Sequence, residues 1–293
     1  MSAAVNVVPG EKPPFDAMVE ARDSDHFLFF DSLHWQLDLP VVAGIQITKF
    51  HILLTIAAAL TSFALIWLGK RMRSGEPPRG VAQNFLESIV YFVRDDIARP
   101  AIGDHDGDKY VPFLGTTFLF ILIANLLGMI PFMGSPTASI AVTAALSLVG
   151  FVLTHWAGIK ENGVFGYFKS YIPHIEIEGP AKVMLIFLVP LIAILEMMTP
   201  FIRLGVLAVR LFANMLAGHV ALFVLLFFID MVSKPEWLNY NHVDEWWYYV
   251  VAPLSVILVT LLSLLELLVA GLQAFIFTLL TAIFIGLAKH PAH

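Results

Sequence analysis

The stretch Val183–Ile229, VMLIFLVPLIAILEMMTPFIRLGVLAVRLFANMLAGHVALFVLLFFI, contains 47 residues. Its only formal charges are Glu196, Arg203 and Arg210, and His219 is a further titratable group. As helix this stretch extends roughly 70 Å, more than twice a ~30 Å hydrocarbon core. It makes either two crossings of a bilayer or one strongly slanted crossing. Two crossings would leave the acidic stretch 230–245, with its single Lys234, in the cytoplasm and send Lys289 outside. The Lys/Arg distribution therefore favours one slanted crossing.

The rest of the 293-residue chain agrees, being 58% hydrophobic and 14% charged, where an ordinary soluble domain is about 25% charged. A mean hydropathy of +0.80 exceeds what one core can bury, so the excess faces lipid. The expected fold is an all-α integral membrane protein with about five crossings, near residues 50–69, 111–131, 137–159, 183–229 and 246–288. The last two are long and tilted, and interfacial amphipathic helices accompany them. The Gly/Pro turn around Met133-Gly134-Ser135-Pro136 makes the second and third crossings a hairpin. Val81–Arg99 spaces its apolar residues at helical intervals around Glu87, Arg94 and Asp95, as an interfacial helix does.

Lys70, Arg71, Arg73 and Arg79 follow the first crossing and belong in the cytoplasm, as do Lys160, Lys169 and Lys182. The N-terminus is then outside and the C-terminus inside. Residues 1–48 carry seven acids against Lys12 and Arg22, which sets an acidic extracytoplasmic segment apart from a membrane domain at 49–293. No apolar run follows the initiator Met, which reads against a cleaved signal peptide, and Pro9, Pro13 and Pro14 suggest an irregular tail. His26–Leu39 mixes aromatics and acids, a composition suited to the membrane surface.

A net charge of −6 argues against nucleic acid. Zero cysteines exclude disulfides, thiolate metal sites and cysteine nucleophiles. No G-x-x-x-x-G-K-[ST] run offers a nucleotide site, and no cofactor, metal or covalent catalytic site is expected. The run GDHDGD at Gly103–Asp108 looks like a calcium loop, but lacks its twelfth-position Glu and Gly spacing and reads as a solvated loop.

Charges deep in apolar runs cost about 2.5–3.5 kcal/mol each by insertion scales. Arg210 lies too far from Lys182 and Asp230 for its stem to reach either end of an upright helix. It faces protein or a water-filled cavity, unless it snorkels from a horizontal helix or closes an internal ion pair. At 100° per residue Glu196, Arg203 and Arg210 fall within about 40° of one face. Asn214 extends that stripe, and His219 points to the other side. Ala213, Ala217 and Ala221 permit close approach of another helix. On the last helix Glu266 and Gln273 share a face. Glu266 and His219 can exchange protons, whereas Arg210 is a permanent cation. A structural Glu–His hydrogen bond is the alternative for that pair. A cysteine introduced at position 207 or 214 is expected to capture whatever neighbours this helix.

Arg210–His219 (RLFANMLAGH) followed by Leu272–Phe277 (LQAFIF) resembles subunit a of F-type ATP synthases, as do Ser74–Gly80 (SGEPPRG) and Ala124–Pro131 (ANLLGMIP). The resemblance extends from about residue 33 to 288. It implies a non-catalytic stator in the bacterial inner membrane, beside a ring of c subunits that each bear a mid-membrane carboxylate, with peripheral-stalk subunit b as a further partner. Protons enter by an outer half-channel near His219, Glu266, Gln273 and Asn214, and leave by a cytoplasmic one at Glu196. Arg210 blocks the short circuit. Some bacterial relatives carry Glu on the earlier helix and His on the later, the reverse of His219 and Glu266, and many have Pro where Leu204 stands. The rival readings are a self-contained ion-coupled transporter and a structural anchor.

Overall fold

The computed structural model describes residues 48–73, 80–130, 135–169, 182–233 and 246–289, together with four short strands near the N-terminus. The strands are β1 (His26–Leu28), β2 (Gln36–Asp38), β3 (Val41–Val42) and β4 (Ile45–Gln46). β1 pairs antiparallel with β2 in the register His26↔Asp38, and β3 with β4. These short pairings within an otherwise helical chain are an addition to the sequence reading. Pro9, Pro13 and Pro14 lie outside the described residues.

Among the described residues five helices are long and apolar enough to cross a membrane, as the uncharged runs lead one to expect. The first, α1 (Lys49–Arg73), ends in Lys70, Arg71 and Arg73, cations that complement the exposed carbonyls of a helix C-terminus. After it come α2 (Val81–Tyr91), a π-helical turn (Phe92–Ala98) and α3 (Arg99–Ile102), which stops at Gly103, whose φ of 114° suits glycine. This segment is helical, as its spacing indicates.

The second long helix, α4 (Asp104–Gly128), starts well before the expected residue 111. GDHDGD is therefore not a solvated loop: five of its six residues open this helix. Two of its three acids have cations, and Asp104 is exposed at the start of the helix. Asp108 accepts two hydrogen bonds from Arg94, at 2.9 and 2.7 Å, and a third from Arg99 at 3.2 Å. The Asp108 carboxylate also holds Arg94 above its ordinary pKa. Asp106 binds Lys109 and Lys289, each at 2.6 Å. Among the described residues no group of three His, Cys, Asp or Glu side chains is arranged to hold a metal ion.

A 3₁₀ turn (Pro136–Ala138) leads into α5 (Ile140–Lys169), which bends at Gly163, where φ is +69°. The bend returns Tyr167 against Gly158, where a Cβ would collide with its ring. Of the turn around Met133-Gly134-Ser135-Pro136, residues 131–134 lie outside the described set. The last two elements are α6 (Lys182–Ser233) and α7 (Trp246–Lys289), 52 and 44 residues long. α6 is continuous despite Pro190 and Pro200, which favours one slanted crossing over two: a helix of roughly 80 Å cannot stand upright within ~30 Å of hydrocarbon.

The main core joins Val93, Ile97 and Ile102 of the π-turn and α3 to Leu114, Phe118 and Ile121 of α4, Leu207 and Leu211 of α6, and Phe277 and Ile285 of α7. Hydroxyls inside the helices bond back to carbonyls four residues earlier, as Thr61 does to Ala57 at 2.7 Å and Thr281 to Phe277 at 2.8 Å. Such bonds allow a polar side chain to sit in an apolar run without water. At one end of the bundle Lys289 is buried between Asp106 of α4, at 2.6 Å, and Glu161 of α5, at 3.3 Å. Asn162 donates there to the carbonyls of Ala288 and Lys289, satisfying acceptors that the end of α7 leaves open.

Candidate functional site

The middle of α6 has two faces. Leu207, Ala208, Leu211 and Met215 are buried in the bundle. Val206, Val209, Arg210, Ala213, Asn214 and Ala217 are exposed, at the 3–4 spacing of one helix face. Arg210 thus stands on a surface that the described residues leave uncovered, flanked by small or short apolar residues. Among the described residues no acceptor binds its guanidinium, so an internal ion pair with them is ruled out.

α6 and α7 run antiparallel and meet in two polar rungs beside Arg210. One turn beyond it, Asn214 donates through Nδ2 to Oε1 of Gln273 at 2.7 Å. Gln273 is 2% exposed, so this interhelical bond supplies a donor to an amide oxygen shut away from water. A turn further on, Gly218 meets Glu266: a Cβ at 218 would lie 2.6 Å from Oε1 and 3.1 Å from Cδ of that carboxyl group. A side chain at 218 would push this carboxyl group aside. Glu266 is 5% exposed. His219 follows Gly218 directly on α6, and its side chain lies outside the described set. The structure therefore brings Asn214 to Gln273, and Glu266 to the backbone beside His219.

On the other side of Arg210 the predicted polar stripe divides. Glu196 and Arg203 line a cavity of about 310 Å³ between α5, α6 and α7, and Arg203 sits 4.7 Å over the Phe284 ring. Arg210 is not among its lining residues. A drift of about 20° per seven residues accounts for part of the turn from cavity to open face. Glu196 lies 14 residues before Arg210, about 21 Å along the axis, and Gly218 eight after, about 12 Å. A fixed cation on an exposed face is thus flanked by a buried carboxyl group on one side and a carboxyl-lined cavity on the other. Such groups can accept and release protons, while the guanidinium between them keeps its charge.

Sequence reasoning missed a second buried polar group next to the site. Asn125 of α4 donates to the carbonyl of Ala270 on α7 at 3.3 Å and accepts from the Thr137 hydroxyl at 2.9 Å, and Thr137 in turn meets the Ser135 hydroxyl at 2.7 Å. All three side chains are fully buried. The signal was an Asn inside an otherwise apolar run, which needs a partner wherever it crosses a membrane. His155, in the cavity wall, was also passed over.

Comparison with known proteins accords with this geometry. A sequence model of the ATP synthase A chain family matches residues 51–286. ATP synthase subunit a of Myxococcus xanthus is 40% identical over 249 residues, covering 85% of this chain and 75% of the relative. ATP synthase subunit a 2 of Chlorobaculum tepidum is 37% identical over 305 aligned positions, covering 100% and 79% respectively. ATP synthase subunit a of Chloroherpeton thalassium is 37% identical, covering 85% and 68%. The exposed arginine, its flanking carboxyl groups and the five long apolar helices therefore belong to a member of the ATP synthase A chain family, a multi-pass membrane component of the proton-transporting ATP synthase.

Proposed function

We propose that the chain is the stator of the membrane sector and offers two offset half-channels to a neighbouring ring of c subunits. The observation that carries this reading is the uncovered face of α6, where Arg210 stands among small and short apolar residues. A guanidinium there attracts an ionised ring carboxylate and has no such hold on a protonated one. A ring site reaching Arg210 gives up its proton, and no proton passes without rotation.

Asn214, Gln273, His219 and Glu266 form the outer half-channel, which delivers protons to the ring. Glu196 belongs to the cytoplasmic half-channel, beside Arg203. The N-terminus and the acidic segment 1–48 are outside the bacterial inner membrane, the C-terminus is cytoplasmic, and 49–293 forms the membrane domain. Subunit b of the peripheral stalk holds the stator against the torque of the ring. ATP chemistry occurs elsewhere in the complex, driven by about 2.3 kcal/mol for each charge that falls through 100 mV.

Arg210→Ala tests the reading in inverted membrane vesicles. The complex assembles and hydrolyses ATP, and ATP-driven proton pumping is lost. Normal pumping by this variant overturns the mechanism. Solute counterflow catalysed by the purified chain alone would instead support a self-contained transporter, and none is expected.

A further inference from the structure

The cavity between α5, α6 and α7 is lined by an imidazole, His155, to which the reading above gives no task. His155 lines it from α5, Glu196 and Arg203 from α6, and Thr281 from α7. The Phe151 and Phe201 rings meet at 5.3 Å and tie α5 to α6 at that level. His155 is one turn beyond Phe151. On the antiparallel α6, Glu196 is five residues before Phe201, so the imidazole and the carboxyl group occupy nearly the same level, about 6–8 Å from the phenylalanine pair.

The ring of His155 is fixed. Its Nδ1 lies 2.8 Å from the Phe151 carbonyl oxygen. A carbonyl only accepts, so Nδ1 carries the hydrogen and Nε2 keeps the lone pair of the neutral ring. The Phe151 ring lies against it at 3.9 Å, and the Tyr167 ring, returned by the bend at Gly163, meets it edge-on at 5.8 Å. An imidazole held in this way exchanges its proton at Nε2 alone.

We propose that His155 is a proton relay between Glu196 and water at the cavity end of the cytoplasmic path. The O–H bond of the Glu196 carboxylic acid breaks as an N–H bond forms at Nε2, leaving a carboxylate and an imidazolium. The imidazolium then passes the proton from Nε2 to water, and the steps reverse during pumping. The groups facing His155 are the Tyr167 phenol on its own helix and Glu196 and Arg203 on α6. Arg203 is seated over Phe284. From α7 the cavity receives Thr281 but no charged lining residue among those described, and Lys289 at the end of that helix is held by Asp106 and Glu161.

The inference rests on the half-channel reading, and the experiment separates the two. Passive proton flux through the membrane sector is measured in vesicles stripped of the catalytic sector, for the wild type, His155→Gln and Arg210→Ala. Loss of a positioned proton-transfer group is expected to slow His155→Gln about 100-fold. Its flux curve between about pH 5 and 8, where imidazoles titrate, is expected to lose one ionisation step. An unchanged flux and curve overturn the relay. A slower flux with an unchanged curve also overturns it, because packing alone then explains His155. If the Gln variant does not assemble, His155→Ala with added imidazole decides: restored flux supports the relay and its absence overturns it. Normal ATP-driven pumping by Arg210→Ala in unstripped vesicles refutes the half-channel reading itself. Loss of that pumping, with His155→Gln equal to wild type, refutes only the relay.

Discussion

Asn214 donates to Gln273 across 2.7 Å, one turn past Arg210, and this bond pins α6 to α7 where the exposed face meets the buried carboxyl group. Asn214→Ala leaves a buried amide oxygen without its donor, which costs about 1–3 kcal/mol. Adding Gln273→Ala removes the orphaned group. In a double-mutant cycle read by thermal denaturation of the complex, the coupling is expected to be about 0.6–1.7 kcal/mol, the range found between membrane helices. Strict additivity of the two single variants would contradict a direct bond.

Gly218→Ala places a methyl group 2.6 Å from Glu266 Oε1. The carboxyl group, the far end of a flexible side chain, must turn aside, at the low end of overpacking costs, about 1 kcal/mol. Proton flux is expected to fall with it. Glu266→Asp in the same chain retracts the carboxyl group by one methylene and is expected to recover stability. Wild-type stability and flux in Gly218→Ala would refute the close approach.

The two faces of α6 predict a cross-linking pattern, made simple by a chain with no native cysteine. Cysteines at Val206, Ala213, Asn214 and Ala217 should capture a neighbouring subunit, because those positions are exposed. Leu207, 6% exposed, faces the bundle instead, so of the two probe positions 207 and 214 only the second lies on the open face. Equal yields at 207 and 213, measured by mass spectrometry of the cross-linked complex, would contradict this orientation.

Lys289→Met removes a buried ammonium group from between Asp106 and Glu161. Methionine fills the space but leaves the acids without their cation. A decrease of about 5 °C in the thermal midpoint is expected, since losing one member of a shielded ion pair is strongly unfavourable. Lys289→Arg should retain most of the stability. An equal loss in both variants would show that shape, not charge, matters here.

The helices that cross the membrane were legible because uncharged runs of this length have few soluble explanations. The heptad spacing of Glu196, Arg203 and Arg210 brought the first two into one cavity wall, yet it could not foresee Arg210 on the open face. Helical arithmetic assigns angles around one axis and does not say which neighbours cover them. The start of α4 was hidden for a related reason. Asp108 and Asp106 read as loop residues because Arg94 and Lys289, which hold them against the bundle, are distant in sequence and leave no local pattern; only the Asp106–Lys109 pair is local. Asn125 was visible as a polar residue in an apolar run, but its partner is a backbone carbonyl on α7, which no side-chain motif announces. The Asn214–Gln273 bond was half legible: both residues were singled out, and only the antiparallel packing of α6 and α7 joined them.

The Lys289 clamp also bears on biosynthesis. Asp106 leaves the ribosome 183 residues ahead of the lysine that binds it, a delay of roughly 10–40 s at ordinary translation rates. Until then two acids already at the membrane lack that counter-ion, and the ends of α4 and α5 are not yet fastened to α7. The fastening of α4 and α5 to α7 therefore waits for the end of α7 to be made.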